Sequence, residues 1–406
     1  MFPISEFPPL ADVTVVALEQ AVAAPFATRQ LADLGARVIK VERPITGDFA
    51  RHYDKTVHGL SSHFVWLNRS KESMALDLKD DAGRDILMQL LKKADVFIYN
   101  LAPGAVDRLG FDYPRLHEEC PELIVCEISG YGRGGPYSDK KAYDLLIQCE
   151  AGLVSVTGTE DTPSKAGISI ADIASGVYAF SSILTALLMR QKTGKGTFIE
   201  VSMLEALGEW MGYPLYFSEY GGTPPKRTGS SHATIYPYGA FKTGDGESVF
   251  FGLQNDREWA KFCTLVLDNP ELANDPKYQG NANRFKHACE IDLAIQMVFS
   301  HLTADELIAK LDQAQIANAK LNSLHNFANH EQLRARGRWR EVETPEGNIL
   351  ALLPPGTIAG CAVTMGKVPD IGEQSNTILA ELGLNQDEIK DLQTRRVISG
   401  GDKYGH

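Results

Sequence analysis

The sequence predicts an α/β protein with a Rossmann-like, doubly wound large domain and a smaller α+β domain. Three observations predict it. Short apolar, strand-like runs alternate with helical segments through the first 200 residues; a Gly/Pro-rich break follows at 221–229; beyond the break come two short strands, a tight turn and several helices. At 406 residues the chain is long for one domain and comfortable for two.

Val13 to Leu18 suits a buried strand, and a helix follows to about Leu34, with Pro25 in its first turn where a missing N–H costs little. Ala36 to Glu42 is a second strand, so the chain opens as β-α-β with a right-handed crossover. Met74 to Leu78 is strand-like, Ala82 to Lys93 an amphipathic helix, Val96 to Tyr99 a strand, Tyr113 to Glu119 a short helix and Leu123 to Ile128 a strand. A buried helix is predicted over 172–191, then a strand at Phe198 to Met203 and one long helix over Leu204 to Tyr220. After the break, strands around Tyr238 to Thr243 and Ser248 to Leu253 flank Gly244-Asp245-Gly246, and Thr303 to Glu306 reads as a capping box. Strands at Trp339 to Val342 and Asn348 to Leu353 precede helices at Asn376 to Leu382 and Gln386 to Leu392. The predicted segments are 1–222, 223–330 and 331–406.

The net charge of −12, with both signs interspersed, provides no basic face for nucleic acid and no polybasic membrane patch. Six scattered cysteines lack metal-finger spacing and read as reduced thiols of a cytoplasmic protein; no metal site is expected. Met1 to Pro9 has neither the basic nor the apolar region of a signal peptide. The apolar run near 177–189 is interrupted and reads as too short to span a bilayer, so a soluble protein is expected.

Chemistry concentrates around Lys165 to Glu200. Ile173, Val177, Phe180, Ile183, Leu184, Leu187 and Leu188 recur at helical spacing, while intervening Ala, Ser and Gly residues let neighbouring backbone come close. Asp172 stands where this helix is predicted to begin. Two readings stay open there: an N-cap, for which Asp is a preferred residue, and a carboxylate nucleophile. Gly130 to Gly135 fits G-x-G-x-x-G, but Pro136-Tyr137-Ser138-Asp139 follows where a helix must open, which argues against a dinucleotide site. A phosphate-cradling Gly-Lys loop, a zincin motif and a nucleophile elbow are absent. Arg43, Lys71, Asn100, Arg108, Lys141 and Tyr143 read as strand-end residues at one edge of the sheet, suited to a phosphorylated ligand.

Across nearly its whole length the chain resembles the class III CoA-transferases, the formyl-CoA and carnitine CoA-transferase group that also contains the α-methylacyl-CoA racemases. The likeness rests on Ala36-Arg37-Val38-Ile39-Lys40-Val41-Glu42-Arg43-Pro44 with Gly47-Asp48, on Arg69-Ser70-Lys71-Glu72-Ser73, and on Asn100 with Pro103 to Gly110. It continues through Ala142-Tyr143-Asp144, Asp172 with Ser175-Gly176, Lys192 to Gly196, and Gly372-Glu373 to Leu384. The resemblance implies a homodimer of interlocked rings, with 331–406 returning to the large domain. It implies that Asp172 is the nucleophile, and that Arg43, Lys71, Asn100, Leu101, Arg108, Lys141, Tyr143 and Met203 line a CoA site. CoA and acyl-CoA would be substrates, with no permanently bound cofactor and small carboxylic acids as the other partners.

Departures from the family pattern bear on substrate. Val22 stands where formyl-CoA transferases have glutamine, and Thr228-Gly229-Ser230-Ser231-His232 replaces their glycine-run loop, which argues against formate and oxalate. Tyr143 occupies the position of a racemase histidine, and a phenol is a poor acid/base at neutral pH, so 2-methylacyl-CoA racemase is the second reading. His232 reads first as a packed or exposed loop histidine; the functional alternative is that its loop closes over the acceptor and His232, with Arg51, His52 or Arg69, meets the second carboxylate of a dicarboxylate such as itaconate, citramalate, glutarate or succinate, with succinyl-CoA as donor.

Overall fold

The structure is a computed structural model and describes residues 7–400, so most of the Met1 to Pro9 segment lies outside the described residues. The chain forms two compact units. One comprises the residues up to Gly152, 166–212 and those from Ala335 onward; the other comprises 153–165 and 213–334. The sequence reading had set its breaks at 222 and 331. The earlier exit follows from Pro214: the helix expected over 204–220 is two helices, because proline at 214 has no N–H for the Trp210 carbonyl. Residues 153–165 join the second unit through Arg227, whose guanidinium donates to the carbonyls of Ser155, Thr159 and Glu160.

Among the described residues, the main sheet of the large unit has seven strands. They are β1 (Thr14–Leu18), β2 (Arg37–Glu42), β3 (Lys71–Leu76), β4 (Val96–Tyr99), β5 (Ile124–Ser129), β6 (Phe198–Ser202) and a short strand at the far end of the chain, Ile398–Ser399. β1 to β6 pair in parallel in the order β3-β2-β1-β4-β5-β6, and Ile398–Ser399 adds antiparallel to β3. That is the doubly wound order, whose direction reverses between β1 and β4 and opens a crevice beyond their carboxyl ends. The strands are apolar runs because both faces are covered: Val16, Ile39, Met74, Phe97 and Val125 are buried in one core with Leu87, Leu91, Ile378 and Leu379.

Three helices matter most here: α1 (Ala23–Asp33), α2 (Asp144–Glu150) and α3 (Ile170–Thr193). α1 packs along α3, and Gly176 makes the approach possible, since a Cβ there would stand 2.7 Å from the Ala23 carbonyl oxygen. α3 is 24 residues long, with a mean hydropathy of 1.5 over its apolar window, enough by length and composition to cross a membrane. This corrects the expectation that its apolar run is too short. Ala171, Ala174, Gly176, Ala179, Ile183 and Leu187 are buried in this unit's core, and Arg190 is ion-paired to Asp95 at 2.6 Å.

The second unit carries a three-stranded antiparallel sheet, Tyr238–Lys242, Ser248–Gly252 and Asn318–Lys320, packed on helices around Trp259, Phe251, Phe262 and Phe299. The capping box at Thr303 and Glu306 forms as expected. Asn318–Lys320 and Ile398–Ser399 are three and two residues long, too short to carry a sequence pattern of their own.

Candidate active site

Asp172 lies at the carboxyl edge of the sheet, because a helix that precedes a parallel strand must begin there and end at the amino edge. It is not the N-cap. Ser169 holds that position without a side-chain bond, and Asp172 is the third helical residue. The cap comes from elsewhere in the chain: Asp144 Oδ1 accepts from the Ala171 amide at 2.8 Å and from the Asp172 amide at 3.3 Å. Asp144 is held in turn by Gln148 Nε2 at 2.7 Å, and Gln148 Oε1 accepts from the Ala166 amide at 2.9 Å. α2 is thereby stitched to the first turn of α3.

The consequence falls on the Asp172 carboxylate. It is partly exposed but walled by protein, and no donor among the described residues reaches its oxygens. Burial, reinforced by the Asp144 carboxylate, pushes its pKa up to about 7. Tyr53 and Tyr143 complete the surroundings. Burial, then the charges of Asp48 and Asp172 and the Tyr143 phenol, raise the Tyr53 hydroxyl to about 12 and keep it a hydrogen-bond donor.

At the reversal point, Gln20 follows β1 and Asn100 follows β4. Asn100 accepts from the Gln20 amide at 2.8 Å and donates to the Gln20 carbonyl at 2.9 Å. The next residue, Ala21, has φ +59°, a left-handed conformation that costs an alanine energy, and its amide is held by Asp48 at 3.1 Å. Behind this turn lies a closed group of charges. Glu19 Oε1 receives Lys71 at 2.6 Å and Lys40 at 3.2 Å, and Lys40 also meets Asp48 at 2.9 Å; Glu19, Lys40 and Asp48 are fully buried and Lys71 nearly so. Burial opposes the Glu19 charge, but Lys40 and Lys71 outweigh it and hold the carboxyl below its usual range.

The CoA-site residues expected from the sequence divide into two sets. Arg43 follows β2, Leu101 follows β4, Arg108 ends the short helix Ala105–Arg108, Lys141 and Tyr143 precede α2, and Met203 follows β6, all at the carboxyl edge. Arg43, Arg108, Lys141 and Tyr143 are exposed; Arg108 bonds only the Pro103 carbonyl, and Arg43 and Lys141 have no ion pair among the described residues. Met203 is buried. Lys71 departs from the expected placement: it opens β3, at the amino end of a parallel strand, and its ammonium is spent on Glu19.

Arg51, His52 and Arg69 do not form the single positive cluster expected. Arg51 pairs with Glu42 at 2.7 Å and lies over the Phe64 ring at 3.6 Å; Arg69 is buried with two 2.7 Å bonds to Asp33; His52 Nε2 lies 3.0 Å from the Thr46 carbonyl. The two arginines are satisfied locally, because β2 supplies Glu42 and α1 supplies Asp33. His232 belongs to the second unit, where Nδ1 accepts from the Thr234 and Ile235 amides at 3.1 and 3.0 Å, so the ring proton sits on Nε2. Its ring stacks on Tyr238 at 5.2 Å. It lines a cavity of about 310 Å³ with Tyr213, Lys226, Thr228 and Ser231.

A doubly wound sheet that presents a partnerless carboxylate and exposed cations at its switch-point edge defines a class of protein suited to covalent acyl transfer on anionic ligands. The model of CoA-transferase family III matches residues 10–375, and the chain belongs to that family. It is 34% identical over 384 residues to a succinyl-CoA:glutarate CoA-transferase of Mus musculus, covering 94% of this chain and 87% of the relative. It is 35% identical over 330 residues to an acetyl-CoA:oxalate CoA-transferase of Acetobacter aceti, covering 81% of this chain and 84% of that one. A crystal structure of a CAIB/BAIF family protein from Brucella suis superposes with a TM-score of 0.81 at 31% identity, over 92% of this chain and 99% of that one.

Sequence reasoning missed Asp144, Glu19, Lys40, Asp48, Tyr53 and Lys226 as parts of these sites. For Asp144 one signal existed, its place directly after Tyr143 in the family-like Ala142-Tyr143-Asp144.

Proposed function

We propose that this enzyme transfers CoA from succinyl-CoA to a small dicarboxylate, with Asp172 as the nucleophile. The observation that carries the reading is the Asp172 carboxylate itself, at the carboxyl edge, without a hydrogen-bonding partner among the described residues and with a pKa of about 7. A carboxylate made more basic in this way is the better nucleophile once ionised.

Asp172 attacks the acyl-CoA carbonyl and expels CoA thiolate, leaving a mixed aspartyl anhydride. The thiolate attacks the aspartyl carbonyl, so the donor leaves as a carboxylate and an aspartyl-CoA thioester remains. The acceptor carboxylate attacks that thioester, again expelling thiolate and forming a second anhydride. Thiolate attack on the acceptor carbonyl releases the new acyl-CoA and returns Asp172. The free energy of the thioester is retained at every stage, held alternately in an anhydride and in a thioester.

Arg43, Arg108 and Lys141 supply cations to the CoA phosphates, and Leu101, Tyr143 and Met203 line its path. Lys71 and Asn100 serve from beneath, by fixing the turn after β1. Arg51 and Arg69 are left out of the acceptor site, since their charges are already spent on Glu42 and Asp33. Tyr143 in place of a racemase histidine, together with relatives named for CoA transfer, supports transfer over epimerisation. A homodimer belongs to the same reading: Leu188, Met189, Leu215 and Tyr216 are exposed on the single chain, and a second copy would cover such surface.

One experiment tests the class and the acceptor together. The protein is incubated with succinyl-CoA, quenched with hydroxylamine and mapped by mass spectrometry, and is assayed against glutarate, citramalate, itaconate, oxalate, formate, acetate and carnitine. The expected result is a hydroxamate on Asp172 and transfer to four- or five-carbon dicarboxylates well above the other acids. A hydroxamate at another residue overturns the nucleophile; preference for a monocarboxylate overturns the acceptor class.

A further inference from the structure

Asp144 is a carboxylate on α2, a different helix from the one that carries Asp172. Its Oδ1 takes the amides of Ala171 and Asp172, while Oδ2 is braced by Gln148. Those two amides belong to the first turn of a 24-residue helix and point outward with the positive end of its dipole. An acidic residue at the third helical position can fold back onto its own helix end, where the glutamate of a capping box accepts from the N-cap amide. The structure contains that alternative twice, at Glu306 over Thr303 and at Glu388 over Asn385. Asp172 occupies the equivalent position and does not do it.

We propose that Asp144 is a positioning residue for CoA transfer: it holds the Ala171 and Asp172 amides of α3 against α2, and so fixes where the Asp172 carboxylate stands for attack on the thioester carbonyl. The inference rests on Asp172 being the nucleophile. Two effects follow from the one contact. Geometrically, the amide bonds fix the first turn of α3 against α2, which sets where Asp172 stands. Electrostatically, the helix end is already neutralised by a like charge, so the negative form of Asp172 gains nothing from the dipole and is repelled by its neighbour. The other titratable groups coupled to Asp172 are the phenol of Tyr53, beyond the short helix Phe49–His52, and through it Tyr143, which precedes α2. Among the described residues no cation is paired with either aspartate.

The test compares Asp144→Asn, Asp144→Ala and Asp144→Glu with the wild type, reading kcat for succinyl-CoA-dependent transfer to glutarate from pH 5 to 9 together with hydroxylamine trapping. Asparagine keeps an acceptor oxygen for the two amides but removes the charge, so the acid limb of the pH–kcat profile should move to lower pH by about half a unit or more, with kcat down about tenfold at pH 8. Alanine also leaves the helix end unneutralised and the first turn unheld, so its limb should move further and its kcat fall about a hundredfold, while the hydroxamate still maps to Asp172. Glutamate retains the charge and should keep the acid limb near the wild-type position.

A wild-type protein that forms no adduct on Asp172 defeats the parent reading. An adduct on Asp172 in every variant, with the acid limb of Asp144→Asn unmoved and its kcat within about twofold of wild type, overturns the positioning role alone. Should Asp144→Ala fail to fold, the asparagine and glutamate variants still decide the matter, because charge and amide acceptance separate between them.

Discussion

Two groups of buried charge in the large unit are built in opposite ways. Behind the turn after β1, Glu19 and Asp48 are matched by Lys40 and Lys71, so each buried charge has an opposite neighbour within 3.2 Å. At the start of α3, Asp144 and Asp172 bring two carboxylates together with no cation paired to either among the described residues. The first arrangement offsets its desolvation locally and makes a rigid support for the strained Ala21. The second leaves the repulsion between two carboxylates uncompensated and raises the Asp172 pKa to about 7. Sites that react need an unsatisfied group, and the saturated network beside it is what makes that tolerable.

The largest way to break this contrast is Asp172→Asn. Transfer should fall by several powers of ten, since a covalent nucleophile is lost. Stability should move the other way. The folded pKa of about 7 lies above the ordinary 3.8, so between those values the native state holds a proton that the unfolded chain has released, and native stability declines as pH rises through that window. The asparagine variant lacks this decline. Its melting temperature should match wild type near pH 4 and exceed it at pH 8; an equal or lower melting temperature at pH 8 would contradict the stored repulsion.

Lys71→Met tests the saturated side. It leaves Glu19 buried with one lysine fewer, and breaking a buried pair costs about 3–5 kcal/mol, readable in the denaturant midpoint. If Lys71 acts only as support, the folded fraction keeps its Michaelis constants for CoA esters; a selective rise in those constants without loss of stability would return Lys71 to the ligand. The smallest effect sharpens the contrast with charges that are free. Arg43→Ala and Arg108→Ala each remove an exposed cation, so the Michaelis constant for every CoA ester should rise by a similar factor, about tenfold to a hundredfold, with the melting temperature nearly unchanged.

The parallel sheet was legible because doubly covered strands are nearly continuous apolar runs; β4 and the helix Tyr113–Glu119 match their expected limits. β3 starts earlier than expected because Lys71-Glu72-Ser73 reads as polar loop, although Lys71 and Ser73 are buried against partners from distant segments. Pro214 was visible and should have ended the helix. Of the candidate site, the sequence made legible the position of Asp172 at the start of its helix and the cations that stand exposed at the carboxyl edge. Asp144 caps a helix 28 residues away and Lys71 meets a glutamate 52 residues away, and nothing in local spacing encodes either contact. Arg51 and Arg69 were grouped because they are near in sequence and share a sign; Glu42 and Asp33, each in a neighbouring element, claim them separately.

The short strand Ile398–Ser399, paired beside Leu76 and Ala75, has a consequence for the order of assembly during synthesis. More than 300 residues separate it from β3, and the whole run 213–334 emerges between them as a unit of its own. A nascent chain therefore completes the middle unit while one edge of the large sheet is still open at β3, a bare row of backbone donors and acceptors. Until the last strand arrives, the ribosome-bound chain carries an unprotected edge, and that interval is where a chaperone would be needed most.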